Sequence, residues 1–124
     1  MAGQMVHLAI PAGNTAKARE FWGGLFGWQF QALEGSPSEY HMTRFSDTSG
    51  GAIYEADGDN RGTRVYFDVD DINAGNARIQ ELGGEAGDAM PVPGMGWFSI
   101  CTDNEGNEFG LWQNDPAAQM PESA

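Results

Sequence analysis

The side chain best suited to chemistry in this sequence is a histidine within an apolar, alternating segment. His7 lies in the stretch 5–10, and an imidazole on a pocket wall can ligate a metal or act as a base. Glu55 is the carboxylate that could join it, as a second ligand or as an alternative base. His41 is interpreted as a surface or hydrogen-bonded histidine, and Cys101, the only cysteine, as a small core residue. His7 and Glu55 are therefore the candidates for catalysis.

The segment that contains His7 is repeated later in the chain. Residues 7–27 align with residues 64–84 without a gap, at a constant offset of 57 residues. Apolar residues occupy equivalent positions in the two copies, and both copies end in a glycine. The first position differs, because His7 aligns with Arg64, whose guanidinium stays protonated and cannot ligate a metal. A repeat of this size predicts two copies of one supersecondary module, with a ligand between them.

Each copy is predicted to form a strand, a capped helix and three further strands. Apolar residues alternate in the strand segments, and Asn14 and Asp71 have the side chains of helix N-caps. These patterns predict an α+β fold in which one domain, residues 1–114, consists of two βαβββ modules. The predicted modules are 5–56 and 63–114, with a linker at 57–62 and a mobile tail at 115–124.

Three passages carry a family resemblance through their apolar, aromatic and glycine positions. The first is Val6 to Pro11, followed by Phe21-Trp22 and Leu25 to Trp28. The second is Tyr66 to Asp71, followed by Leu82 to Gly84. The third is Gly96 to Phe98, followed by Thr102-Asp103 and Gly106 to Trp112. Together they cover residues 5–114 and resemble the vicinal oxygen chelate superfamily, which includes glyoxalase I, extradiol dioxygenases and bleomycin resistance proteins. The resemblance implies that each module curls its strands into half of a mixed-sheet barrel around a central cleft.

The resemblance also implies where a metal would be bound, namely at the first and last strand of each module. His7 stands at the first-strand position, and Arg64 stands at its equivalent in the second module. The last-strand glutamate of the second module is replaced by Gly110, and its first-module equivalent lies within 52–54, next to Glu55. One or two ligands are fewer than the three or four of a typical site. We therefore expect no cofactor and no metal, with His7 and Glu55 as the remaining candidates for a divalent ion.

Strand alternation assigns the neighbouring side chains to two faces. In the first strand, Val6, Leu8 and Ile10 should face the helix and His7 the pocket. In the last strand, Phe109 and Leu111 should face the core, whereas glycine at the pocket-facing position 110 predicts open space. The residues expected to line the ligand site are His7, Arg64, Tyr66, Gly110 and Trp112, whereas Trp28 and Trp97 are interpreted as packing residues.

Two functions of different class are consistent with these residues. The first is a protein that binds a cationic or aromatic small molecule without chemistry, as in the bleomycin-resistance branch. The alternative is a metal-dependent glyoxalase-type lyase or isomerase, or a dioxygenase-like enzyme. In that case His7 or Glu55 would act as the base, and Arg64 would hold a carboxylate or enolate. The resemblance implies a homodimer in either case.

The strong acidity of the chain excludes some classes of partner. The formal net charge is −12, and Lys17 is the only lysine, so nucleic acid and anionic membranes are not expected as partners. An acidic surface instead favours a cationic ligand. No apolar run approaches the length of about 20 residues that spans a bilayer, and residues 1–6 lack signal-peptide features. A cytoplasmic protein is expected.

Overall fold

The first module begins with a strand and a helix whose ends are fixed by their capping residues. In the computed structural model, which describes residues 3–36, 38–56 and 62–119, the Asn14 side chain accepts a hydrogen bond from the Lys17 backbone N–H. Gly27 ends the helix in the left-handed conformation, with φ of 74°, and donates to the Gly23 carbonyl. The elements are β1 (Met5–Ala12), α1 (Thr15–Phe26), β2 (Gln31–Ala32), β3 (Tyr40–Arg44) and β4 (Gly50–Glu55). The predicted βαβββ order is confirmed here.

The strands of this module pair in the order β2-β3-β4-β1. β1 runs parallel to β4, whereas β3 is antiparallel to both β2 and β4. Two small residues of β4, Gly51 and Ala52, are both buried. These pairings belong to one of two compact units, which among the described residues includes 6–36, 38–56 and 62–65.

The second module follows the same plan with one difference. Its elements are β5 (Arg64–Asp68), α2 (Ile72–Glu81), β6 (Glu85–Ala86), β7 (Met90–Val92), β8 (Gly96–Thr102) and β9 (Glu108–Asn114). The segment predicted as one weak strand, 85–92, forms the two short strands β6 and β7, and both pair with β8. The order is β5-β9-β8-β6, with β5 parallel to β9. The α+β class predicted from the sequence is confirmed.

Helix α2 packs on one face of these strands, and the hydrophobic core of this module is formed between them. Asp71 caps the helix by accepting from the backbone N–H groups of Asn73 and Ala74. Buried residues beneath it come from the helix and from two strands, and Phe109 is packed against them, so the predicted core side of β9 is confirmed. The cluster consists of Ile72, Cys101 and Leu111. Among the described residues, these elements belong to the second compact unit, which includes 3–5 and 66–119.

The start of the predicted mobile tail is packed in the structure. The Asp115 backbone N–H donates to the Met95 carbonyl at 2.9 Å, and the Gly94 N–H donates to the Ala118 carbonyl at 2.9 Å. Ala118 is buried. Residues 115–119 are therefore tied to the turn before β8, whereas 120–124, and 57–61 of the predicted linker, lie outside the described residues.

Two leucines near the ends of the helices are exposed. Leu25 is 57% exposed and Leu82 is 62% exposed. On α1, Thr15 is buried and Trp22 is partly buried. Trp22 itself stacks on Trp28 with ring centroids 5.4 Å apart, which confirms the packing role expected for Trp28. No helix in the described part of the chain is both long and apolar enough to cross a membrane.

Candidate functional site

His7 is hydrogen-bonded to Tyr40, a residue that no sequence pattern indicated as part of the site. The His7 Nε2 atom lies 2.8 Å from the Tyr40 hydroxyl oxygen, and the two ring planes differ by 6°. Their strands, β1 and β3, lie on either side of β4. On β4, Gly50 is the register partner of His7 and Tyr54 is that of Tyr40, so the bond crosses β4 diagonally. The contact therefore joins two strands that are not neighbours in the sheet.

Burial makes His7 a neutral side chain at physiological pH. Loss of solvent lowers the pKa of His7 to about 4, because the charged imidazolium is disfavoured away from water. A neutral imidazole has one donor nitrogen and one acceptor nitrogen, and a tyrosine hydroxyl can pair with either. The His7–Tyr40 bond thus links two neutral groups that can each donate or accept a proton.

A second tyrosine extends this arrangement along the same face. The ring centroid of Tyr54 lies 6.4 Å from that of Tyr40, at an angle of 30° between the planes. Tyr54 pairs directly with Tyr40 across β3 and β4, so the two side chains project to the same side. We call His7, Tyr40 and Tyr54 the aromatic row. Each member is partly buried and so keeps some exposed surface.

The structure separates Glu55 from His7. On β4, Gly50 is the register partner of His7, whereas Glu55 is the partner of Ala12, about 16 Å further along the strand. Glu55 comes five positions after Gly50, and because this offset is odd, Glu55 points to the opposite face of the sheet. It is exposed there. The two candidates named from the sequence therefore do not form a pair.

Position 110 is covered by an aromatic ring. Tyr66 and Gly110 are register partners on the parallel strands β5 and β9. A Cβ atom at position 110 would collide with the Tyr66 ring, which is only 8% exposed. The expectation of open space at Gly110 was wrong, because the tyrosine lies over the missing side chain.

The other residues expected at the ligand site lie on the same two strands. Trp112 is the partner of Asp68 on β5, and its indole N–H donates to the Asn114 side-chain oxygen at 2.8 Å. Arg64 begins β5, two residues before Tyr66, and is partly buried. Trp97 packs against the core instead, as expected, and its indole N–H donates to Asp115 at 3.0 Å.

His41 belongs to a polar cluster on the helix side of the first module. The Glu39 carboxylate accepts from the Thr15 hydroxyl at 2.9 Å and lies 3.2 Å from the His41 Nε2 atom. The hydrogen bond from His41, followed by that from Thr15, lowers the pKa of Glu39. His41 is thus a hydrogen-bonded histidine, as predicted.

The side chains at the expected metal positions do not fit the ligand set of the metal-dependent relatives. Within residues 3–36, 38–56 and 62–119, no three His, Cys, Asp or Glu side chains are grouped so that they could hold a metal ion. In the second module, Arg64 and Gly110 have no side-chain atom that can coordinate a metal ion, and the Tyr66 ring covers position 110. In the first module, Glu55 faces away from His7. The chemistry that this donor set supports is hydrogen bonding and proton exchange at His7 and Tyr40.

Comparison with known sequences identifies related proteins along most of the chain. A family model described as a glyoxalase-like domain matches residues 7–112. A "Glyoxylase-like domain-containing protein" from Didymella fabae is 30% identical over 120 residues, which are 88% of this chain and 92% of that protein. The "Anthracycline biosynthesis protein DnrV" from Streptomyces peucetius is 29% identical over 119 residues, which are 81% of this chain and 43% of that protein.

Comparison with solved structures supports the fold. A hypothetical protein from Bacillus halodurans C-125 superimposes with a TM-score of 0.74 at 11% identity, covering 98% of this chain and 99% of that chain. A methylmalonyl-CoA epimerase from Mycobacterium tuberculosis superimposes with a TM-score of 0.69 at 15% identity, covering 92% of this chain and 89% of that chain. At such identities the likeness concerns the fold alone.

Proposed function

This chain belongs to the glyoxalase-like domain family, within the vicinal oxygen chelate superfamily, and we propose that it binds an organic small molecule without the divalent metal of its metal-dependent relatives. The ligand is bound at the aromatic row. The observation that carries this proposal is the hydrogen bond between His7 and Tyr40, which joins the one retained ligand position to a neutral hydroxyl.

Partial exposure of the aromatic row supports a binding role. Rings that retain exposed surface can stack against a planar ligand, and the His7–Tyr40 pair can bind a polar atom of that ligand. The acidity of the chain supports a cationic ligand, and the DnrV relative, named for anthracycline biosynthesis, supports an aromatic one. Both classes belong in a ligand screen.

Metal analysis tests the first half of the proposal. Purified protein would be dialysed against Ni(II), Zn(II), Mn(II) or Fe(II) and its metal content measured, beside the variant His7→Gln. We expect substoichiometric metal in both proteins. One equivalent of metal in the wild type that is lost in His7→Gln would overturn the metal-free proposal.

A thermal-shift screen tests the second half. The screen contains a bleomycin-type cationic compound, an anthracycline aglycone and a short acyl-CoA, each at saturating concentration. A ligand that binds the folded state raises Tm, and the variant Tyr40→Phe should reduce that increase. If no compound raises Tm, binding of these classes is contradicted.

A proton-transfer enzyme is the second candidate function, and the neutral state of His7 favours it. A neutral imidazole in hydrogen-bond contact with a hydroxyl can accept a proton from a carbon acid, as an isomerase or lyase requires. Turnover of the methylglyoxal–thiol adduct, with and without added metal, tests it. Turnover that disappears in His7→Gln would establish this candidate in place of simple binding.

The family resemblance also leads us to propose a homodimer. Light scattering on purified protein measures the molar mass, and a value near twice the 13.4 kDa of one chain is expected. A monomer at all accessible concentrations would contradict it.

A further inference from the structure

We propose that this chain dimerises through an exposed apolar surface at the end of helix α1, which packs against the same surface of a second copy. The inference deepens the homodimer proposed above and rests on it. We call this surface the α1 patch, and all of its residues lie in the first compact unit. Its members are Phe21, Trp22, Leu25, Phe26, Trp28 and Phe45.

The aromatic members of the α1 patch are joined by continuous ring contacts. Trp22 stacks on Trp28 with ring centroids 5.4 Å apart. The Phe21 and Phe26 rings lie 5.4 and 5.9 Å from Trp22. Phe45, just after β3, lies 4.7 Å from Trp28. The rings therefore form one connected surface that is fixed by its own contacts before any partner binds.

The exposed area of the patch suits the centre of a dimer interface. Phe21 is 62% exposed, Leu25 and Phe26 are each 57% exposed, and Phe45 is 39% exposed. Phe21 and Leu25 are four residues apart on α1 and are neighbours on its surface. These side chains expose roughly 400 Å² of apolar area, about half of what one partner buries in a standard interface. The partly exposed tryptophans and a polar rim would supply the rest.

The distribution of charge favours a second copy as the occupant. Residues 21–33 contain no charged side chain, although the chain has 18 acidic and six basic residues. Two chains of charge −12 repel each other, and this repulsion costs least where the touching surfaces are uncharged. An anionic membrane would instead require a basic cluster, and α1 has only Lys17 and Arg19.

The sequence repeat supplies a matched position outside the patch. Leu25 is equivalent to Leu82 at the offset of 57 residues, and both are near the end of a helix. Their exposed fractions are similar. The segments that follow them differ, because 82–92 contains no aromatic residue whereas 26–30 contains three. A substitution at Leu82 therefore reproduces the change in charge and exposure without altering the α1 patch.

The first test measures dimerisation of Leu25→Glu, Leu82→Glu and the wild type by light scattering over a concentration series. We expect Leu25→Glu to raise the dimer dissociation constant about tenfold or more, because a two-fold contact loses both leucines and gains two carboxylates. Leu82→Glu should change it by less than about threefold. Far-UV circular dichroism verifies the fold of each variant. If Leu25→Glu fails to fold, Leu25→Gln and Leu82→Gln provide the same comparison without added charge.

The second test measures the dimer dissociation constant of the wild type at several sodium chloride concentrations. Salt screens the repulsion between two acidic chains, and an apolar contact requires no ion pair between them. We therefore expect the dissociation constant to fall as salt is added. A constant that rises with salt would show that ion pairs join the copies and would overturn the α1 patch as the interface.

The remaining outcomes separate this inference from the proposed homodimer. A dimer that is unaffected by Leu25→Glu, or weakened equally by Leu82→Glu, overturns the α1 patch and leaves the homodimer standing. A chain that stays monomeric at all accessible concentrations contradicts both.

Discussion

At position 110 the Tyr66 ring occupies the place where any larger residue would put its Cβ atom. We expect Gly110→Ala to destabilise the protein by about 1–3 kcal/mol, because a buried ring and its strand must move to admit the methyl group. Urea denaturation measures the change. The matched control is Gly24→Ala in helix α1, where a Cβ meets no atom within 4 Å, and which should stabilise by about 0.5–1 kcal/mol. Equal effects at the two sites would contradict this account of Tyr66.

His7 should make stability depend on pH in a defined window. Its pKa falls from 6.5 to about 4 on folding, so between these values the unfolded chain binds more protons than the folded chain. The free energy of unfolding should therefore fall as pH decreases through this window, by up to about 1.4 kcal/mol per pH unit. Above the window His7 contributes no pH dependence. Over the whole window, protonation of His7 should lower the free energy of unfolding by a total on the order of 3 kcal/mol.

The variant His7→Gln tests this dependence. Urea titrations between about pH 5 and 7 avoid the lower range in which carboxylates with lowered pKa, such as Glu39, lose their stabilisation. We expect the free energy of unfolding to depend less steeply on pH in His7→Gln than in the wild type. The control His41→Gln should keep the pH dependence that His7 contributes to the wild type. An identical slope in His7→Gln would refute the neutral, desolvated state assigned to His7.

Single residues also show what the sequence could reveal about the site. His7 was identifiable because an ionisable residue interrupts an apolar strand. Tyr40 was not, because its hydroxyl reaches His7 across β4, and only knowledge of which strands flank β4 brings the two together.

At the scale of elements, the helix caps should stabilise to different extents. Asp71 accepts two backbone N–H groups at the start of α2, whereas Asn14 accepts one at the start of α1. We expect Asp71→Ala to lower the free energy of unfolding by about 1–2 kcal/mol, and Asn14→Ala by about 1 kcal/mol or less. The control Asp70→Ala removes a neighbouring exposed carboxylate and should change stability by less than about 0.5 kcal/mol. A similar loss in Asp70→Ala would attribute the effect to charge instead of capping.

Strand register explains why elements were easier to predict than their side-chain partners. The caps Asn14 and Asp71 were identified by residue type, because capping is local in sequence. Glu55 was named as a partner of His7, and a register that the sequence does not encode locally places it on the opposite face. A shift of one residue along β4 reverses the face of every side chain, so proximity in the alignment was insufficient.

At the scale of the whole molecule, the sequence repeat predicted the architecture. The structure differs from the prediction at the end of the chain's last segment, where a mobile tail was expected. Apolar positions that agree between residues 7–27 and 64–84 led to the α+β class, which the structure and the family match confirm. The tail prediction rested on composition alone. Composition cannot show that Asp115 lies beside Trp97, where a hydrogen bond of 3.0 Å and the burial of Ala118 hold the segment in place.

The net charge should make the stability of the whole molecule depend on salt. A charge of −12 on 124 residues repels itself in the compact state, and this repulsion is long-ranged at low ionic strength. Between about 0.01 and 0.5 M sodium chloride the screening length falls from about 30 Å to well below 8 Å, so Tm should rise by several degrees. Differential scanning calorimetry measures this change.

A charge-altered variant distinguishes screening of net charge from other effects of salt. Replacing the exposed residues Glu20, Glu85 and Glu105 with lysine changes the net charge from −12 to −6, because each substitution adds two positive units. We expect the triple variant to be more stable than the wild type at low salt and to gain less Tm from added salt. If both proteins respond equally to sodium chloride, the stabilisation comes from reduced solvation of apolar surface, and self-repulsion does not limit stability.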